Sequence, residues 1–208
     1  MSASGSPDPD AVHDFDPELW IEVPLGFPAE EFDSAEAWAR QIAESAAPAD
    51  AAVRERIETG AATLASAPRG GAARRFWFFP LSGEVTAIVD CFRLPRDSRL
   101  EDSLEEILGH VDAPSTDPVV TQLDPGAAMR VVRVARIGRA ETAEEGPSAV
   151  YGVIRLGRVT EREIEIFETV NDDLTTMGYM MDQLDRLVID LPVPEYESVD
   201  DRGEARTR

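Results

Sequence analysis

The apolar positions of the chain follow a helical repeat in four segments. In each segment they recur every three or four residues, which places them on one face of an α-helix. The four stripes cover residues 35–46, 53–64, 100–111 and 174–188. Polar residues that can cap a helix precede them, and the predicted N-caps are Asp33, Asp50, Ser98 and Asn171.

β-branched and aromatic residues dominate six other runs, which predict β-strands. They lie at 20–25, on either side of Ser82 and Gly83, and at 129–138, 149–158 and 162–170. A loop dotted with prolines is expected between the third helix and residue 129. The element order is β-α-α-β-β-α-β-β-β-α, with short links between consecutive strands. It predicts an α+β fold, in which an antiparallel sheet of about five to six strands is packed with about four helices.

The two ends of the chain lack the apolar residues that a core needs. Residues 1–16 and 194–208 are acidic and predict disordered tails. Residues 17–193 are then expected to form a single α+β domain.

Acidic residues outnumber basic ones by 41 to 20, which gives a formal net charge of −21. A negative field of this size argues against binding to nucleic acid or to an anionic membrane. It is typical of a highly soluble protein, of a halophilic protein or of a protein with a basic partner. The N-terminal residues contain no basic and apolar signal region, so a cytoplasmic location is expected.

Few residues in the sequence have the chemistry of a catalytic or metal site. Cys91 is the only cysteine, and His13 and His110 are too far apart along the chain for a local metal motif. Asp90 lies inside a β-rich run and would need an arginine partner if it were buried. Exposure of Asp90 at an edge or a bulge is the favoured interpretation. The sequence therefore predicts no catalytic residue, no metal site and no cofactor.

The segment 129–139 has an arginine at every third position. On a strand, side chains alternate between faces, so Arg130 and Arg136 point one way and Arg133 and Arg139 the other. The arginines are thus divided between two faces and do not form a continuous basic stripe. Three interpretations remain: ion pairs with a neighbouring strand, a phosphate or acidic-ligand site, or a protein-partner surface that includes Arg133 and Arg136. The expected pairing partners share one face of the last predicted strand and are Glu161, Glu163 and Glu165.

Aromatic side chains occupy both faces of the strand "RFWFF". Phe76 and Phe78 point to one side, and Trp77 and Phe79 point to the other. Either helices cover both faces, or Trp77 and Phe79 are exposed and anchor a protein partner or a second copy of the chain.

Two stretches give the chain a pattern that resembles the Mog1/PsbP-like α/β sandwich proteins. They are "WIEVPLGFP", a short strand followed by a turn, and the closing helix in "NDDLTTMGYMMDQLDRLVIDL". The two consecutive helices after the first strand depart from that pattern. The resemblance implies a binding or accessory role rather than catalysis, and it assigns no site residue to this chain.

These observations lead to three functional hypotheses. The first is a non-enzymatic cytoplasmic accessory or protein-binding domain, because no catalytic constellation is found. The second is an acidic immunity or inhibitor protein that masks a basic partner such as a nuclease toxin, because opposite charge steers association. The third is an enzyme or small-ligand binder whose pocket has no sequence signature.

Overall fold

The computed structural model describes residues 16, 19–29, 32–47, 49–68, 70–78, 87–110, 115–124, 129–140 and 149–192. These residues form seven strands and five helices. Their bounds are β1 (Trp20–Glu22), α1 (Ala35–Ala46), α2 (Ala51–Ser66), β2 (Arg74–Phe78), β3 (Ala87–Pro95), α3 (Ser98–Asp102), α4 (Leu104–Gly109), β4 (Val119–Leu123), β5 (Arg130–Ala140), β6 (Ala149–Val159), β7 (Glu163–Asn171) and α5 (Leu174–Asp190). The predicted tails, apart from Asp16, lie outside the described residues, as do Phe79 and the predicted turn at Ser82 and Gly83.

All seven described strands belong to one antiparallel sheet with the order β1-β2-β3-β7-β6-β5-β4. The predicted α+β class and the antiparallel sheet are therefore confirmed. Strands β1 to β3 are sequential neighbours, and so are strands β4 to β7. The two groups join at a single seam, where β7 pairs with β3.

The described residues form more strands and helices than predicted, since about five to six strands and about four helices were expected. The additional strand is β4, in the segment predicted to be a loop dotted with prolines. Pro118 stands just before Val119, where a missing N–H removes no bond from the strand interior, and an edge position tolerates it. The predicted third helix is divided at Ser103, which ends α3 and begins α4.

Polar side chains fix the starts of four described helices. The N-caps of α1, α2, α3 and α5 are Ser34, Asp50, Asp97 and Asp173. The prediction of Asp50 is confirmed, whereas Asp33, Ser98 and Asn171 are wrong by one or two residues. The Asn171 side chain accepts a hydrogen bond from the N–H of Asp173, whose own carboxylate accepts from Thr175 and Thr176. Asn171 therefore positions the residue that caps α5.

Helices pack on both faces of the sheet. On one face, Phe76 and Phe78 join the buried side of α5. On the opposite face, α1 and α2 pack over Trp77, and α4 packs over Val132 and Val134. We call these two sides the α5 face and the α1–α4 face.

Trp77 belongs to the core of the α1–α4 face. Its side chain is 0% exposed and lies in the same buried cluster as Trp38 and Ile57. The aromatic strand is thus covered on both faces as far as it is described. The interpretation of Trp77 as an exposed partner-binding residue is wrong, because α1 and α2 already occupy its surroundings.

The α4 helix approaches the sheet closely at Gly157. A Cβ atom on this residue would lie 2.8 Å from the Leu104 side chain and 3.0 Å from that of Leu108. Any other residue at this position of β6 would force the Leu104 and Leu108 side chains to shift, and glycine lets α4 pack at this distance.

We predict that Trp77→Ala lowers the free energy of unfolding by roughly 3–5 kcal/mol, because it removes a fully buried indole. Urea denaturation followed by circular dichroism measures the change. Tyr179→Ala is the matched control, since Tyr179 is 58% exposed on α5. The control should change stability by less than about 1 kcal/mol. Equal, small effects of both changes would contradict the placement of Trp77 in the core.

Cys91 is buried on the α5 face of β3, as expected for a small core residue. Burial and, to a lesser degree, the carboxylate of Glu165 raise the pKa of its thiol to about 12. The thiol of the unfolded chain has an ordinary pKa of about 8.5. The stability that depends on a neutral thiol is therefore complete below that pH, and it is lost as the pH rises toward the folded-state value.

Because the thiolate is the reactive form, we predict that native protein at pH 8 resists Ellman's reagent. Protein unfolded in guanidinium should react completely under the same conditions, which provides the control. The measurement is the absorbance of released thionitrobenzoate over several hours. Labelling of the native protein as fast as of the unfolded protein would contradict the burial of Cys91.

Candidate functional site

Among the described residues, three arginines of the sheet each bind a carboxylate on a neighbouring strand and carbonyl oxygens at the end of a helix. They are Arg75, Arg155 and Arg158. The last carbonyl groups of a helix have no partner within the helix, and a cation at that end is favourable. We call these three arrangements the arginine clasps, because each joins two strands to a helix.

The first clasp holds α2. The Nε and Nη2 atoms of Arg75 donate to the two carboxylate oxygens of Asp90 at 2.7 and 3.0 Å. The guanidinium also donates to the carbonyl oxygens of Leu64 and Pro68, at 3.4 and 3.0 Å. The hydrogen bonds that Arg75 donates to Asp90 raise the pKa of Arg75. Asp90 thus lies inside the sheet with an arginine partner, and the expectation of exposure at an edge or bulge is wrong.

The second clasp holds α4 from β6. Arg155 donates from Nε to the carboxylate of Glu168 and from Nη1 to the carbonyl oxygens of Leu108 and His110. Glu168 is the direct neighbour of Asp90 across β3 and β7. The side chains Arg75, Asp90, Glu168 and Arg155 therefore form one row across four adjacent strands.

The third clasp is buried on the α5 face. Arg158 is 0% exposed and Glu165 is 1% exposed, and Arg158 Nε donates to Glu165 Oε2 at 2.6 Å. Arg158 Nη1 also donates to the carbonyl oxygens of Val188 and Leu191, which fixes the end of α5. Arg93 Nε donates to the other oxygen of Glu165 at 3.2 Å.

The strip of the α1–α4 face between the ends of α2 and α4 is only partly covered by the described residues. The first clasp binds the end of α2 and the second binds the end of α4, and these two helix ends lie on opposite sides of the β3–β7 seam. Apolar side chains of the seam remain partly accessible, with Leu94 36% and Val170 51% exposed. We call this strip the central trough, and its apolar lining is Ile88, Phe92, Leu94, Ile166 and Val170.

Two carboxylates stand side by side within the central trough. Both oxygens of Asp90 accept hydrogen bonds from Arg75, whereas Glu168 accepts from Arg155 and its side chain is 31% exposed. No second carboxylate could be assigned to Asp90 from local patterns, because the pairing of β3 with β7 joins distant parts of the chain. The alternation of Ile164, Ile166 and Glu168 did indicate that Glu168 shares a face with two apolar residues.

The regularly spaced arginines are divided between the two faces, as predicted. Arg130 donates to the carbonyl oxygen of Glu101 and pairs with Glu105 on the α1–α4 face. Arg133 pairs with Asp185 of α5 on the other face. Burial raises the pKa of Asp185, and the charge of Arg133 opposes that shift. Arg136 is half-buried on the α1–α4 face, and its Nε has no hydrogen-bond partner among the described residues.

The predicted ion pairs between these arginines and the glutamates of β7 are wrong, because β6 lies between β5 and β7. Glu163 and Glu165 pair with Arg93 of β3, and Glu165 also pairs with Arg158 of β6. Glu161 precedes β7 and is not part of the strand. The residue types of the expected pairs were right, but the strands that supply the arginines are β3 and β6.

A pocket of about 220 Å³ lies between β1 and α1. Its walls include Val23, Phe32 and Trp38, and its charged residues are Glu22 and Arg74. Arg74 donates to both carboxylate oxygens of Glu22, at 2.8 and 2.6 Å. The charged groups of the pocket therefore bind each other and leave its wall electrically balanced.

Within the described ranges, no group of three or more histidine, cysteine, aspartate or glutamate residues is arranged to hold a metal ion. None of the helices in the described part of the chain has both the length and the apolar character needed to span a bilayer.

In comparisons with known proteins, no protein family matches the chain and no curated protein matches it significantly. The interpretation of the site therefore depends on its geometry and charge.

We predict that Glu165→Leu lowers the free energy of unfolding by about 3–5 kcal/mol, because it leaves the buried Arg158 guanidinium without a counter-ion. Urea denaturation measures the effect. The control is Glu58→Gln in the exposed pair with Arg40, whose atoms are 3.7 Å apart. That change should alter stability by less than about 1 kcal/mol. A loss no larger than in the control would contradict the importance of the third clasp.

Proposed function

We propose that the chain is a protein-binding domain and that the central trough is its binding surface. The observation that carries this proposal is the exposed apolar side chains of the seam, which flank two adjacent carboxylates. Exposed apolar surface rimmed by polar residues is typical of protein interaction sites. The trough also lies between two helix ends that the arginine clasps hold in place, so a partner would meet a preformed surface.

The charge of the chain favours a basic partner. The formal net charge is −21, and Glu168 presents part of its carboxylate to the trough. A lysine or arginine side chain of the partner can place its aliphatic stem on Phe92 and Ile166 and its charged end at Glu168. Opposite net charges then increase the rate of association.

A catalytic role for the same carboxylates is less well supported. Both oxygens of Asp90 are already bound by Arg75, which itself holds the end of α2. Asp90 is thus committed to a structural task. The resemblance in pattern to Mog1/PsbP-like proteins also implies a binding or accessory role, and we retain the cytoplasmic location as part of the proposal.

A second candidate function is an acidic inhibitor that masks a basic partner. The strong negative charge supports it, and it would use the same trough. The two functions differ in the fate of the partner, because an inhibitor abolishes the activity of the protein that it binds. The third hypothesis, a small-ligand binder, would place its ligand in the pocket beside α1.

Affinity capture from the native cell lysate tests the proposal. We expect the immobilised chain to retain a protein of basic isoelectric point, identified by mass spectrometry, and retention to decrease at high salt. Val170→Arg should abolish retention, because it adds bulk and positive charge to the trough. Arg133→Ala and Arg136→Ala report whether these residues take part in binding, as the sequence suggested.

The matched control is Tyr179→Arg, which makes the same charge change at an exposed residue of the α5 face. It should retain the partner as the unaltered chain does. Equal loss in the two variants, or a partner that binds more tightly at high salt, would contradict binding of a basic protein in the trough.

A further inference from the structure

The strand β4 forms one edge of the sheet. It pairs with β5 along one side, and no described strand lies along its other side. Such an edge presents backbone N–H and C=O groups to another chain. The opposite edge strand, β1, has 3 residues, whereas β4 has 5 residues. β4 is therefore the longer of the two edges for pairing with a further strand.

The side chains of β4 do not protect this edge. Its sequence, VVTQL, contains no charged residue, although 29% of the chain is charged. Val119 is 65% exposed and Val120 is 41% exposed. Natural edge strands commonly carry charges or prolines that prevent pairing with another sheet. The five residues of β4 have neither.

Exposed apolar residues continue from β4 onto the α5 face. Val119 pairs with Ala135 of β5, and Ile137 stands two residues further along that strand on the same face. Ile137 pairs with Gly152 of β6, Val150 lies two residues before Gly152 on the same face, and Leu174 packs beside Gly152. The side chains of Val119, Ile137, Val150 and Leu174 are all exposed. The uncharged edge and this apolar corner thus form one continuous surface.

We propose that a second copy of this chain pairs with β4 in antiparallel fashion about a two-fold axis at Thr121. In that register Thr121 faces Thr121 of the second copy, Val120 faces Gln122, and Val119 faces Leu123. Val119 meets the apolar Leu123, Val120 meets the uncharged Gln122, and Thr121 meets its own copy. No charges of like sign face each other within the strand, so β4 is complementary to itself. Because the five residues of β4 match their own sequence in this register, a second copy is the better occupant of the edge.

The same register gives the dimer a distinctive response to salt. Asp117 and Asp124 bracket β4 and are exposed. Two-fold pairing brings Asp117 of each copy near Asp124 of the other. Screening of this repulsion, and of the net charge of −21 on each copy, strengthens the dimer as salt increases. This response is opposite to that expected for a basic partner in the central trough.

Analytical ultracentrifugation of the full chain tests the proposal. We expect a dimer whose Kd decreases between about 50 and about 500 mM NaCl, a range over which charges become screened. Val119→Glu should raise the Kd by about tenfold or more, because it puts charge into the interface. Tyr179→Glu is the matched control, with the same charge change at an exposed site of α5 beside Phe78 of β2, and it should leave the Kd unaltered. Circular dichroism confirms that both variants are folded.

Cysteine cross-linking tests the register. In Thr121→Cys, the two Cα atoms would lie about 4.5–5.5 Å apart across the axis, within the roughly 4.4–6.8 Å that a disulfide spans, so diamide oxidation should join the copies by a disulfide. The native Cys91 is buried and does not compete. In Val170→Cys the two introduced thiols are not brought together, so no cross-linked dimer should appear on a non-reducing denaturing gel. A monomeric native chain, a dimer insensitive to Val119→Glu, or equal cross-linking of both cysteine variants would overturn the proposal, whatever the trough binds.

Discussion

The buried ion pair between Arg158 and Glu165 is the constraint on which the placement of α5 depends. A charged guanidinium inside a protein needs a counter-ion and hydrogen-bond acceptors. Here a carboxylate of β7 binds the Nε atom of Arg158, and carbonyl oxygens at the end of α5 bind its Nη1 atom. Such a pair adds little net stability compared with apolar residues of similar size. Its effect is on geometry, because a shift of α5 along the sheet would leave the cation without its carbonyl partners.

Two further arginine clasps lie on the α1–α4 face. They explain why the described helices leave the central trough only partly covered. Asp90 and Glu168 are neighbours of like charge, so each takes an arginine from the strand on its outer side. Arg75 and Arg155 in turn draw the ends of α2 and α4 towards β2 and β6. The helices are thus held to either side of the seam, and the central trough follows from the charge order of one row of side chains.

Local patterns were enough to predict most helices and strands, but not the contacts that form the site. The three- and four-residue spacing of apolar side chains located α1, α2 and α5, and strand alternation divided the arginines of β5 correctly. β4 escaped prediction because it is short, exposed and flanked by prolines, and an edge strand needs no strong alternation. The neighbours Asp90 and Glu168 and the partners of Glu165 depend on strand order, and the partner of Arg133 depends on the packing of α5. No local pattern encodes either.

The seam between β3 and β7 has a consequence for the biosynthesis of the chain. The ribosome completes β3 long before it completes β7, since two helices and three strands lie between them in the chain. At ~5–20 residues per second, the inner edge of β3 stays unpaired for on the order of ten seconds. Throughout that interval Phe92 and Leu94 lack their neighbours on β7, and an unpaired apolar edge of this kind is prone to aggregation.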